Sequence, residues 1–335
     1  MPTIKEIAQL AETSTSSVSR VINSSGYVGK AARERIQRVL DETGYRPNAL
    51  AKALHSKRSQ TIGVILPKIN ATSSGENIAG IDHYYADKGY SIILGNTNHN
   101  VAKELEFLDV FREKQVDGII LVATEITPEH EAKFKTLNLP LVVMGQSATG
   151  IAPSVVFDEA AAAKDMVDYL ISENHQRIAY ISVSEADISI GQKRKQGYLN
   201  ALSYHKMEVN PHWIAIGDFS VTSGYTACQA IFDHSHIKPD CVFAANDKMA
   251  IGAINYLLEH HYRVPEDVSV CGVGGGMLSA YYNPKITSLV YDFNESGRIA
   301  AELLHGFIDK SMEDPKNHVS YVPYSLAVRE STQKK

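Results

Sequence analysis

Between positions 14 and 23 the chain gathers short polar side chains: Ser14, Thr15, Ser16, Ser17 and Ser19, then Arg20 and Asn23. Hydroxyls and amides of this size bond phosphate oxygens, and an arginine can grip guanine O6 and N7 bidentately. Val18, Val21 and Ile22 are interleaved with them at helical spacing, which sends the polar residues to the opposite face. An ordinary Ser/Thr-rich amphipathic helix has the same composition, so these residues alone leave the two readings balanced.

The elements around this run favour a small helical module. Thr3-Ile4-Lys5-Glu6 fits the S/T-x-x-E capping box, and Ile4, Ile7, Ala8 and Ala11 then share one helical face. Ser14 can cap the second helix. A third, from about Lys30 to Thr43, turns Ile36, Val39 and Leu40 inward and stops at Gly44. Three helices this short must share one core, which leaves the second free to lie in a major groove. The charge is split in the same sense: residues 1–58 carry ten Lys/Arg against five Asp/Glu, and the remainder 23 against 33. A +5 module on a −10 body suits a phosphate-seeking segment on a body that does not bind nucleic acid.

Ile4-Lys5-Glu6-Ile7-Ala8, Ser17-Val18-Ser19-Arg20-Val21-Ile22-Asn23 and Tyr45-Arg46-Pro47-Asn48-Ala49-Leu50-Ala51 together resemble the lactose-repressor/galactose-repressor family, over essentially the whole chain. The resemblance implies that Thr15, Ser16 and Arg20 read bases, supported by Ser14, Ser17, Ser19 and Asn23. It also implies a hinge helix after Pro47, with Asn48 and Ala51 on the DNA and Leu54 as an apolar wedge that unstacks a minor-groove base step. Where the family usually has Gly in the turn this chain has Glu12, and the residue before the third helix is Gly29 instead of a common Ser.

At 335 residues and 44% hydrophobic content, the chain is long enough for two or three domains of a soluble protein and has no apolar run of membrane-spanning length. Met1-Pro2-Thr3 leads directly into a helix start, so no secretory leader is expected and the location is read as cytoplasmic. Cys228, Cys241 and Cys271 lie apart in apolar surroundings and are expected as reduced, buried thiols.

From Thr61 onward apolar runs alternate with amphipathic stretches. Strands are expected at Ile62–Leu66, Ser91–Gly95, Gly118–Val122, Leu141–Met144, Arg177–Val183, Trp213–Ile216, Cys241–Ala245 and Val268–Val273. Helices are expected at Ile78–Lys88, Lys103–Lys114, Ala160–Glu173, Gln192–His205, Ser223–Phe232 and Lys248–His260. The fold class is therefore α/β: a small all-α helix-turn-helix headpiece plus a body of parallel sheets. The resemblance makes that body a two-subdomain, periplasmic-binding-protein-like one. The expected divisions are 1–46 for the headpiece, 47–58 for the hinge and linker, and 59–335 for the effector-binding and dimerisation domain. Within the body, the N-subdomain is expected at about 59–158 and 288–320 and the C-subdomain at about 159–287 and 321–332, with crossings near Asp158, Ser288 and Tyr321.

In the body the resemblance implies that Arg194 clamps a sugar effector, that Asn246 is a second ligand position, and that Phe219 stacks on an apolar sugar face. Asp247 is assigned mainly to the structural role of capping a helix. The chain departs from the family at Asn70-Ala71-Thr72-Ser73-Ser74, where Asn70 and Ser73 replace an aromatic run, and at Gly272-Val273-Gly274-Gly275-Gly276, where a ligand carboxylate is missing. Space at Gly274 suits a larger effector such as a disaccharide, with Gln146 supplying lost hydrogen bonds, and in these features the chain is most similar to sucrose-operon repressors. The partners implied are near-palindromic double-stranded operator DNA, a sugar or sugar phosphate, and a second copy of the chain in a homodimer. A global regulator of the same architecture with a phosphoprotein corepressor is the alternative, although Asp82 and Asp87 beside Lys88 do not make the basic patch it needs.

Enzymatic readings find no residues to carry them. Gly272 to Met277 lacks the third glycine of a dinucleotide loop, and no G-x-S-x-G is present. Of thirteen histidines, His234, His236, His260 and His261 come without converging Cys or Glu. No cofactor, no metal and no catalytic residue is expected.

Overall fold

The computed structural model describes residues 2–22, 25–45, 58–312 and 315–335. The chain divides into two compact units, Met1–Gln60 and Thr61–Lys335.

The first unit is helical. Helix α1 (Ile4–Leu10) opens on the capping box: the Thr3 amide donates to Glu6 Oε2 at 2.6 Å, and the Glu6 amide donates to Thr3 Oγ1 at 3.3 Å. Glu12 turns the chain at a φ of +47°, a left-handed conformation that a non-glycine residue adopts at modest cost. Helix α2 (Thr15–Ile22) follows, with the Ser17 amide bonded to Ser14 Oγ. Helix α3 (Lys30–Thr43) starts after Gly29 without a side-chain cap and ends at Gly44, whose φ of +60° needs no Cβ to be accommodated. Ile7, Ala8, Ala11, Val18, Val21 and Ile36 form the core, with Ile4, Val39 and Leu40 at its half-buried margin.

The second unit holds two six-stranded sheets. Strands β1 (Thr61–Leu66), β2 (Ser91–Asn96), β3 (Gly118–Val122), β4 (Leu141–Met144), β5 (Ser154–Val156) and β11 (Val319–Tyr321) build the first, in the order β11-β5-β4-β3-β1-β2. Strands β6 (Ile178–Val183), β7 (Ile214–Gly217), β8 (Cys241–Ala244), β9 (Ser269–Gly274), β10 (Thr287–Tyr291) and β12 (Tyr324–Ala327) build the second, in the order β12-β10-β9-β8-β6-β7. Every pairing is parallel except β10 with β12. Parallel strands buried on both faces read as unbroken apolar runs, and alternation then sorts the side chains. Ile62, Val64 and Leu66 enter one core and Ile65 the core on the opposite face.

The helices of this unit are α4 (Thr72–Tyr85), α5 (Val101–Glu113), α6 (Pro128–Thr136), α7 (Glu159–Ser172), α8 (Lys195–Tyr204), α9 (Val221–His234), α10 (Asp247–Glu259), α11 (Met277–Tyr281) and α12 (Phe293–Ile308). The chain passes between sheets three times: from β5 into α7, from β10 into α12, and from β11 into β12. The second passage falls after Tyr291, three residues beyond Ser288, because Thr287–Tyr291 adds a strand to the second sheet before the chain leaves it. Helix α12, unexpected from the sequence, packs on α4 and buries Ala300, Ala301 and Leu304 against the first sheet.

In each sheet the strand order reverses once. Successive strands leave to opposite sides of β1 and β3 in the first sheet, and of β6 and β8 in the second. Ligands in open parallel sheets bind beyond the carboxyl ends of strands at such switch points. The residues beyond β1, β3, β6 and β8 therefore lie where a ligand would bind.

Candidate DNA-reading helix and effector cleft

On α2 the side chains of Ser14, Thr15, Ser16 and Arg20 are exposed, and Ser17 and Ser19 are half-buried. Ser14 Oγ lies 2.7 Å from Ser16 Oγ and 3.0 Å from Ser17 Oγ, a hydroxyl cluster at the amino end of the helix. Anions are favoured at such an end by the unsatisfied amides and the helix dipole, so phosphate contact there is physically well placed. A Cβ on Gly26, which has a φ of +70°, would lie 3.4 Å from Arg20 Cδ, so the loop after α2 runs along the arginine's stem. Asn23, Asn48, Ala51 and Leu54 lie outside the described residues, as does the whole 47–57 stretch.

In the second unit Arg194 ends a π-helical turn, Ile188–Arg194, that follows β6. Single π turns inside or beside α-helices are uncommon and recur at functional sites. Arg194, at the end of this one, is only 3% exposed. Its Nε and Nη2 donate to Glu159 Oε2 at 2.8 and 2.5 Å, and Nη1 donates to the carbonyl of Ala245, just beyond β8. Tyr291 Oη donates to the same Glu159 oxygen at 2.7 Å, and Phe157 stacks on the Tyr291 ring at 4.1 Å between centroids. Burial by itself lowers the pKa of Arg194, but Glu159 together with the Tyr291 and Tyr180 phenols outweighs it and holds the guanidinium above its ordinary value. Burial, then Glu159, pushes the Tyr291 phenol well above its usual range. Arg194 thus joins the β6 and β8 loops across the second sheet's switch point.

Asn246 caps α10, its Oδ1 accepting from the Met249 amide at 2.8 Å, while its Nδ2 donates to the carbonyl of Phe219 at 3.1 Å. That bond helps hold Phe219 at a φ of +69°, rare for an aromatic residue, with its ring against the second sheet's core. Asp247 is not the cap. Its carboxylate takes the Gly275 amide at 2.8 Å and Ser288 Oγ at 2.6 Å, fixing the glycine loop, and burial raises its pKa. Gly274, at a φ of +129°, passes close enough that a Cβ would lie 3.2 Å from Asp247 Oδ2. Asn70 is exposed on the loop beyond β1, and Ser73 is half-buried in the first turn of α4.

Gln146, 4% exposed beyond β4, reaches across to the second sheet's loops. Its Nε2 lies 3.0 Å from the Thr124 carbonyl and 3.2 Å from Asp187 Oδ1. Ser189 Oγ lies 2.6 Å from the Gly145 carbonyl and 2.9 Å from Gln146 Oε1. The structure therefore brings Gln146 to the turn that carries Arg194, and it adds Glu159, Asp187, Ser189 and Tyr291, which no sequence motif marks. Glu159 and Tyr291 sit 35 and 97 positions from Arg194, so no local spacing reveals them; Asp187, followed at once by the π turn, had the form of an N-cap and nothing more.

Among the described residues no group of three or more His, Cys, Asp or Glu is arranged to hold a metal ion, and no helix is long and apolar enough to cross a membrane. The three cysteines are buried, and burial pushes the Cys228 thiol well up.

Comparison with known proteins places this architecture. Residues 3–48 match the family described as bacterial regulatory proteins, lacI family, and residues 167–332 match a periplasmic binding protein-like domain. Catabolite control protein A of Priestia megaterium is 33% identical over 332 residues, 99% of each chain. The ribose operon repressor of Haemophilus influenzae is 32% identical over 305 residues, 91% of each. Among solved structures, a complex of the transcriptional regulator CelR with cellobiose superposes with a TM-score of 0.75 at 27% identity, covering 99% of this chain and 100% of the other. The lac repressor dimer bound to operator and an anti-inducer shares the fold at a TM-score of 0.90 and 24% identity, covering 99% of both. With a headpiece and a body that both match, and relatives aligned from end to end, the chain belongs to the lacI family of bacterial regulatory proteins and is a DNA-binding transcriptional regulator.

Proposed function

We propose that this regulator is a cytoplasmic, homodimeric repressor of a sugar-utilisation operon, released from a near-palindromic operator when a saccharide occupies the body. The observation that carries the reading is the placement of Arg194, Asn246 and Gln146 beyond the carboxyl ends of strands, two of them at the second sheet's switch point. In this reading Thr15, Ser16 and Arg20 read bases, and Leu54 wedges the minor groove. A sugar that favours one body conformation shifts the balance by its differential affinity, typically about 1–3 kcal/mol of coupling. The CelR complex with cellobiose and the ribose operon repressor support a carbohydrate effector. The Gly274–Gly276 stretch, without side chains of its own, is what points to a disaccharide, with sucrose first to be tried.

The likeness to catabolite control protein A favours a second reading, a global regulator that needs a phosphoprotein corepressor. The exposed charges of the first subdomain speak against it: Asp82 and Asp87 stand beside Lys88, and Arg298 on α12 is tied to Glu295 and Glu302. Titrating the operator-bound protein with saccharides separates the two readings, since only the first predicts release by sugar alone.

A further inference from the structure

The family resemblance left the effector site without its usual carboxylate, and the charges around the cleft bear on what replaces it. Resting on the reading of that cleft as the effector site, we propose that Asp187 is the carboxylate that clamps ligand hydroxyls. The site accordingly selects a neutral saccharide over its phosphate ester.

Asp187 sits between β6 and Arg194, at the second sheet's switch point, where Arg194 and Asn246 also converge. Its Oδ1 accepts from the Ile190 amide at 2.8 Å and from Gln146 Nε2 at 3.2 Å. A carboxylate offers about four lone-pair sites across its two oxygens, so two donors leave it capacity for a vicinal pair of hydroxyls. Gln146 and Ser189 flank it as buried, neutral donors and acceptors already arranged in a network. A ligand hydroxyl, which donates and accepts, can enter such a network without leaving a buried group unpaired.

The charge balance points the same way. Arg194 is the cation a phosphate would seek, yet its positive charge is met at 2.5 Å by Glu159 in a buried pair. Beyond the strands that flank the two switch points, the connections carry Glu125, Glu185, Asp187 and Asp247 against Lys68 and Lys193, and Glu185 is itself paired with Lys195. A phosphate dianion entering there would face an uncompensated carboxylate in a partly desolvated site, where like charges repel most strongly. A neutral sugar meets no such opposition.

Calorimetric titration of the full chain with sucrose, cellobiose and ribose, and with sucrose 6-phosphate and ribose 5-phosphate, tests this, alongside an Asp187→Asn variant. Asparagine keeps an oxygen to cap the π turn, and circular dichroism checks that the variant folds. The expected result is a neutral sugar bound at least about tenfold more tightly than its phosphate ester. The substitution should weaken that sugar about tenfold and narrow the gap to the ester, as loss of a charged hydrogen-bond acceptor does. A phosphate ester that binds as tightly as its parent sugar, or an unchanged sugar affinity in the variant, overturns the proposal while leaving the effector cleft standing. Failure of every sugar and ester to bind overturns the cleft reading and this proposal with it.

Discussion

Arg194 and Glu159 form a buried ion pair in which a single carboxylate oxygen receives both Nε and Nη2, at 2.8 and 2.5 Å. The arginine that the family resemblance singled out is therefore held in place by a residue that opens α7 just after the first passage between sheets. Removing one partner of a buried pair leaves the other charged and unpaired, at a cost of about 3–5 kcal/mol. Glu159→Leu should accordingly lower unfolding stability by about that much in urea titration. Glu159→Gln, which keeps an acceptor for the arginine, should cost clearly less. Equal losses in the two variants would show that packing, not charge, dominates the site.

The exposed Arg20 leads to a different kind of expectation. Arg20→Ala should weaken operator binding by about 1–3 kcal/mol and relax base choice at one position in each half-site. Binding measured across a set of single-base operator variants checks both parts; a uniform loss over all variants would make Arg20 a phosphate contact instead.

Helices α4 and α12 meet at reciprocal glycines. A Cβ on Gly80 would lie 1.9 Å from the Asn294 carbonyl, and one on Gly297 would lie 2.1 Å from the Asn77 carbonyl. Either position changed to alanine must push the helices apart, with an overpacking cost of about 1–3 kcal/mol. Gly75→Ala, on the same helix with open space around it, serves as the control and should leave the urea midpoint nearly unchanged or raised.

Acid should act through Asp240. Burial by itself raises its pKa, but the His175 ring and the amides of Gln176 and Arg177 outweigh burial and hold the carboxyl below its ordinary value near 3.8. A depressed folded-state pKa adds stability above the unfolded value and loses it as the pH falls through the folded one. Stability measured from pH 6 to pH 2 should therefore drop more steeply below about pH 4 in the wild type than in Asp240→Asn. Parallel curves would remove Asp240 from the account.

Local patterns made much of this architecture legible. The capping box at Thr3, the stop at Gly44 and eight of the strands follow from spacing and composition, which act over a few residues. Strands β5 and β11 have three residues, too few to show a period, while β12 lacks the buried apolar run of the equally short β4 and β8 and pairs antiparallel at the sheet's edge. Strand β10 lay hidden at an expected crossing. In the cleft, Arg194, Asn246 and Gln146 could be named from motif and position. Their partners Glu159, Tyr291 and Asp187 could not, because those contacts arise only when separate loops converge.

The most direct test of the central claim is fluorescence anisotropy on a labelled near-palindromic operator pool with a central CG step, with and without a panel of saccharides led by sucrose. The account predicts tight binding by the protein alone and release by one neutral sugar at concentrations that leave the others inert. Weak binding that tightens only when a phosphoprotein is added, with every sugar without effect, would contradict it.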